Sequence, residues 1–224
     1  MLPKQIENRL WKVSFLWGAL FFVIWAAYDF ARTGTLTFGS LASDLEWTAA
    51  VLIGVSYAFG TFTFYTDFLD SKLTYRKYLG LMGYFVLLLY TVLLILGRSE
   101  LFLQAPYDGF SALSFQLLCA VLLILCGMTL VGNNEKLSRS QPKLWRNLLR
   151  VGYMIYVFWV PRSILMDGSV WNVWGQGISG HILPPPSFLV TVLALLVIAF
   201  RLSVFPVLLW QHHFHKKGLP PLTK

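Results

Sequence analysis

Hydrophobicity in this chain comes in six blocks, at residues 13–27, 47–66, 78–97, 109–132, 148–166 and 188–210, and the third and fourth contain no Asp, Glu, Lys or Arg. About 20 predominantly apolar residues cross the hydrocarbon core of a bilayer. No water is present there to satisfy backbone N–H and C=O groups, so a crossing segment must pair them internally, as a helix or within a closed barrel. Continuous apolar runs of this length, without strand-like alternation, specify helices. The expected fold is an all-α integral membrane protein, a six-helix transmembrane bundle. Composition agrees: 57% of residues are hydrophobic and 12% charged, against roughly 45–50% and about 25% in a soluble domain.

The basic residues then orient the bundle. Lys4, Arg9 and Lys12 precede the first block; Lys72, Arg76 and Lys77 lie between the second and third. Lys136, Arg139, Lys143, Arg146 and Arg150 lie at the fourth-to-fifth connection, and Lys216, Lys217 and Lys224 follow the sixth block. The alternate segments hold only Arg32 and Arg98. Positive charge collects on the cytoplasmic side, which predicts that both termini are cytoplasmic. The net charge of +8 is therefore a topology signal, and no nucleic-acid partner is expected. The expected domains are a cytoplasmic tail at 1–12, the six-span domain at 13–210 and a basic cytoplasmic tail at 211–224. The location expected is the bacterial cytoplasmic (inner) membrane.

Several features bound the chemistry. Cys119 and Cys126 are seven apart, a rise of roughly 10 Å on a helix, whereas a disulfide needs Cα atoms within about 7 Å; two buried free thiols are expected. Ser40-Leu41-Ala42 lies too far beyond the first apolar block to act as its cleavage site, so that block is expected to stay as a permanent span. The stretch "DGSVWNVWGQGISGHILPPPS" is expected to be a non-helical external connection, lying on the surface or capping a pocket, with Trp171 and Trp174 in the interfacial belt. No phosphate loop, dinucleotide fingerprint, metalloprotease helix or nucleophile elbow is present, so no catalytic residue is expected.

Within the second block, Ala50, Gly54 and Ala58 recur every fourth residue, with Ser56 and Gly60 beside them. Such spacing lets membrane helices approach closely, and it equally suits one wall of a cofactor pocket. Thr48, Ser56, Thr61 and Thr63 are expected to bond carbonyls of their own helix.

Two stretches carry a resemblance. "YRKYLGLMGYFVLLLY", residues 75–90, and "VGNNEKLSRSQPKLWRNLLRVGY", residues 131–153, resemble the third helix and the approach to the fifth in the ferric-reductase-like transmembrane domain family. Within it, the haem-binding membrane subunits of bacterial methionine sulfoxide reductase systems are the most similar. The resemblance covers residues 47–166. It implies a b-type haem held by histidines of the third and fifth helices and electron transfer across the membrane. The family's third-helix histidine, ten residues after the glycine of Leu79-Gly80-Leu81, falls on Tyr90. The fifth-helix histidines, four and seventeen residues after Trp145, fall on Leu149 and Arg162. Leu149 has no lone pair, protonated Arg162 only donates, and burial in a bilayer disfavours the Tyr90 phenolate that would bind iron. The expectation is therefore no cofactor, with haem b or a quinone as the alternative.

Arg162 remains to be explained, because arginine at a helix centre costs roughly 2.5–3.5 kcal/mol on insertion scales. It either snorkels to the outer interface or forms a polar network with Tyr90 where the family keeps its cofactor. No acidic residue is expected inside a span, so its partners would be outer-side carboxylates (Asp29, Asp44, Glu46 or Asp167) or carbonyls freed by Pro161. Arg201 is expected near cytoplasmic anionic headgroups. His212, His213 and His215 either bind a metal weakly or are solvated. The resulting function is a haem-free relative serving as a structural or accessory subunit, with membrane lipids and membrane-protein subunits as partners. Transmembrane electron transfer and small-molecule or lipid transport are the alternatives.

Overall fold

The computed structural model describes residues 4–65, 73–97, 110–133, 140–141, 150–178 and 180–204. These form six helices: α1 (Lys4–Thr33), α2 (Phe38–Tyr65), α3 (Leu73–Gly97), α4 (Phe110–Asn133), α5 (Met154–Gly175) and α6 (Pro186–Leu202). Among the described residues there is no strand. Among the described residues, four helices are long and apolar enough to cross a bilayer: α1, Phe38–Phe62 within α2, Tyr75–Gly97 within α3 and Leu113–Gly132 within α4. Helix α5 has 22 residues but carries Arg162, Asp167 and Pro161, and α6 has 17 described residues. Over the described residues the protein is thus all-helical, with membrane-type apolar helices.

Helix boundaries differ from the apolar blocks because backbone pairing does not stop where hydrophobicity does. Helix α1 begins at Lys4 and includes Arg9 and Lys12, while α2 begins nine residues before its apolar block. Asp29, Asp44 and Glu46, which lie outside the apolar blocks, are therefore parts of helices, and all three are buried there. The non-helical connection is also shorter than expected. Gly168 and Gly175 fall within α5, since one helical glycine costs only about 1 kcal/mol. The chain leaves the helix at Gly177 and Gly180, both at positive φ, and Pro185 and Pro186 start α6, where a missing N–H does no harm. Tyr28 closes this connection by donating its hydroxyl to the Pro184 carbonyl at 2.8 Å.

Helix α2 is the central post. It packs most extensively on α3 and also on α1 and α6, while α5 packs on α4 and α6. Its apolar window is 61% buried, against 17% for those of α1 and α4, which identifies the latter two as peripheral. Peripheral residues such as Phe15, Leu16, Leu123 and Leu130 point outward, as lipid-facing side chains must. Cys126 is among the outward residues and Cys119 is half-buried, both as free thiols; the expectation of two buried thiols is corrected for Cys126.

The α2–α3 contact is tight for a local reason. At Gly83, an added Cβ would lie 2.7 Å from Ile53 Cγ1 and 3.2 Å from the Ala49 carbonyl oxygen. Ser56 Oγ crosses the same interface to donate to the Arg76 carbonyl at 2.7 Å, rather than bonding its own helix as expected. Thr48 and Thr61 do bond their own helix, to the carbonyls of Asp44 and Tyr57. The Thr63 side chain lies outside the described residues.

Candidate functional site: a buried ion pair and tyrosine cluster between α2 and α5

Toward α5, long side chains rather than close backbone span the distance from α2. Ile155, Trp159 and Arg162 recur at helical spacing on one face of α5 and are all buried. On α2, Glu46, Ala50 and Ile53 repeat in the same way. The two faces bring Arg162 onto Glu46: Nη1 donates to Glu46 Oε1 in a salt bridge whose partners are each 3% exposed. The second terminal nitrogen, Nη2, donates to Tyr90 Oη of α3 at 3.1 Å. One guanidinium therefore links α5 to both α2 and α3.

Of the four carboxylates considered for Arg162, Glu46 is the one bonded to it. Asp44 lies two residues away, which on a helix turns its side chain to a different face, where Asp29 of α1 is its charged neighbour. Asp167 shares α5 with Arg162. The carbonyl freed by Pro161 does not take part in the bonds described. Buried pairs of this kind add little net stability when both partners are present, but losing one partner strands a charge.

A tyrosine cluster continues the α2–α5 contact along the bundle. Tyr156, fully buried, donates its hydroxyl to the Ala50 carbonyl at 2.7 Å. Tyr57 and Tyr153 pack with ring centroids 4.4 Å apart. Tyr153 Oη lies 3.3 Å from the Tyr57 carbonyl, to which it donates, and 3.2 Å from Thr61 Oγ1. The Arg76 guanidinium from α3 sits 5.8 Å from the Tyr57 centroid, and that of Arg201 from α6 sits 4.9 Å from the Tyr153 centroid. Both are within cation–π range. Arg201, expected among headgroups, thus also packs on a tyrosine face.

The small residues of α2 receive a specific role here. A Cβ at Gly54 would lie 2.9 Å from Tyr156 Oη, and one at Gly152 would collide with the Tyr57 hydroxyl. Glycine at these two positions gives the phenol tips their room. Replacing Tyr156 with Phe is expected to keep the ring packing and lose one buried hydrogen bond, a cost of about 0.5–1.5 kcal/mol. A melting curve in detergent should show a modest drop with an unchanged helical circular-dichroism spectrum.

Tyr90 and Arg162 are thus brought together, while Leu149, His212, His213 and His215 lie outside the described residues. Glu46 is one of the four carboxylates the sequence offers to Arg162, whereas Tyr57, Tyr153 and Tyr156 were not singled out as site residues, although Tyr153 and Tyr156, three apart and opposite a stripe of small residues, carried the signal. Tyr90 and Arg162, which the sequence resemblance would set at haem-ligand positions, form a donor set that does not fit a b-type haem. Arg162 offers only N–H donors, two of them already used, and the Tyr90 hydroxyl receives one of those, whereas axial ligands must present lone pairs to iron. Among the described residues, no group of three or more His, Cys, Asp and Glu side chains converges as a metal site. No protein-family model matches the chain, and no curated protein sequence matches it either.

Proposed function

We propose that this chain is a haem-free relative of the ferric-reductase-like membrane domain, acting as a structural or accessory subunit of a membrane-protein complex. In this reading it is a six-span protein of the bacterial cytoplasmic membrane with both termini cytoplasmic. The observation that carries the proposal is the Arg162–Glu46 pair with Tyr90 attached. Two positions that align with the family's haem ligands are bonded to one another, so cohesion between α3 and α5 comes from side chains instead of from a shared cofactor. The basic residues flanking alternate helices support the orientation, and the peripheral apolar faces of α1 and α4 suit lipid or a neighbouring subunit.

The test is purification in mild detergent from cells supplied with a haem precursor, followed by absorption spectra before and after dithionite. The expected result is a featureless Soret region and co-migration with other membrane proteins. A Soret band that shifts on reduction would overturn the haem-free assignment. A chain that purifies alone, as one homogeneous species, would overturn the accessory role.

A further inference from the structure

Helix α5 holds a second set of polar atoms that neither the ion pair nor the tyrosine cluster uses. Trp159 Nε1, Arg162 Nε and Ser163 Oγ are buried without a hydrogen-bond partner, on residues 1%, 3% and 1% exposed. The three lie at i, i+3 and i+4, which places them side by side on one helix face within roughly 6 Å of rise. An indole N–H and a guanidine Nε–H can only donate, whereas a serine hydroxyl donates or accepts. Each orphaned group costs about 1–3 kcal/mol when buried, so three on one turn call for a shared acceptor.

The surroundings define that acceptor. Arg162 already has a carboxylate partner in Glu46, so the turn is electrically balanced and an additional anion would bring an unmatched charge into the bundle. Ala50 and Tyr156, which face each other across the α2–α5 contact, are wholly buried. Trp159, Arg162 and Ser163 are themselves at most 3% exposed, so the group they share must be small. A neutral molecule with two lone pairs and two protons meets both conditions.

We propose that this turn of α5 is a binding site for an ordered internal water molecule. It accepts from Trp159 Nε1 and Arg162 Nε and donates to Ser163 Oγ. Three hydrogen bonds is the usual complement of a buried water. The water extends the Arg162 network along α5, so that the guanidinium is held by Glu46, Tyr90 and the water at once. The site is independent of whether the chain is an accessory subunit.

X-ray hydroxyl-radical footprinting of the intact protein in detergent tests this, because radicals generated from a bound water oxidise the adjoining side chain even where bulk solvent does not reach. Trp159 is expected to be oxidised several-fold faster than Trp47, which is also buried. Oxidation of Trp159 no faster than of Trp47 would overturn the site. Ser163→Ala gives a second readout whose sign is diagnostic. If Ser163 Oγ accepts from water, its removal slows Trp159 oxidation and lowers the melting temperature. If the hydroxyl is an orphan, its removal leaves the melting temperature unchanged or raises it, and either result overturns the proposal.

Discussion

Arg162→Leu is expected to lower the melting temperature in detergent by on the order of 10 °C. The substitution strands the Glu46 carboxylate, which is 3% exposed and has Arg162 as its salt-bridge partner. Removing one member of a buried pair costs about 3–5 kcal/mol, and 1 kcal/mol moves the midpoint of a chain this size by about 2–4 °C. Glu46→Leu should be comparably harmful, because it leaves the guanidinium with Tyr90 alone. The decisive member is the double variant, Glu46→Leu with Arg162→Leu. With both charges gone and apolar volume kept, most of the lost stability should return, since the pair itself contributes little beyond mutual compensation. A double variant as unstable as the summed singles would show that the two residues act separately and that the ion pair is not what joins α2 to α5.

Gly83→Val is expected to be the next most damaging change, through packing alone. Its first added carbon would already lie 2.7 Å from Ile53 Cγ1 and 3.2 Å from the Ala49 carbonyl, and valine adds two methyl groups. The nearby backbone of α2 cannot rotate aside as a flexible side chain could, so α2 and α3 must separate along their most extensive contact. Overpacking costs typically about 1–3 kcal/mol, and at a helix crossing the upper part of that range applies. Gly127→Val is the control, since nothing lies within 4 Å of a Cβ there. Melting curves that fail to separate the two variants would contradict the close α2–α3 approach.

Much of the site was legible in part. Arg162 stood out because a guanidinium in an apolar run is costly wherever it ends, and Glu46 was among its possible partners. What concealed Glu46 was its position just ahead of an apolar block, where hydropathy places it outside the helix. Helix α2 begins nine residues before that block, because polar residues sustain helical hydrogen bonds as well as apolar ones do when packed against a neighbour. The connection after α5 was misjudged for a related reason: Gly168 and Gly175 look like breakers in isolation, yet each is tolerated inside a helix. The tyrosine cluster was missed because an aromatic residue in a membrane helix carries no sign of whether it faces lipid or a phenol partner.

Six apolar blocks and the uneven placement of Lys and Arg determined by themselves that the chain is helical and suited to a bilayer, and they set the expected orientation. These are properties of single segments, governed by transfer of side chains and by backbone self-pairing, and they need no neighbour to be evaluated. Which carboxylate Arg162 meets, which glycines face a phenol and which helix stands at the centre were decided only in three dimensions. Each depends on the relative rotation of two helices, and that rotation is set by packing many residues at once.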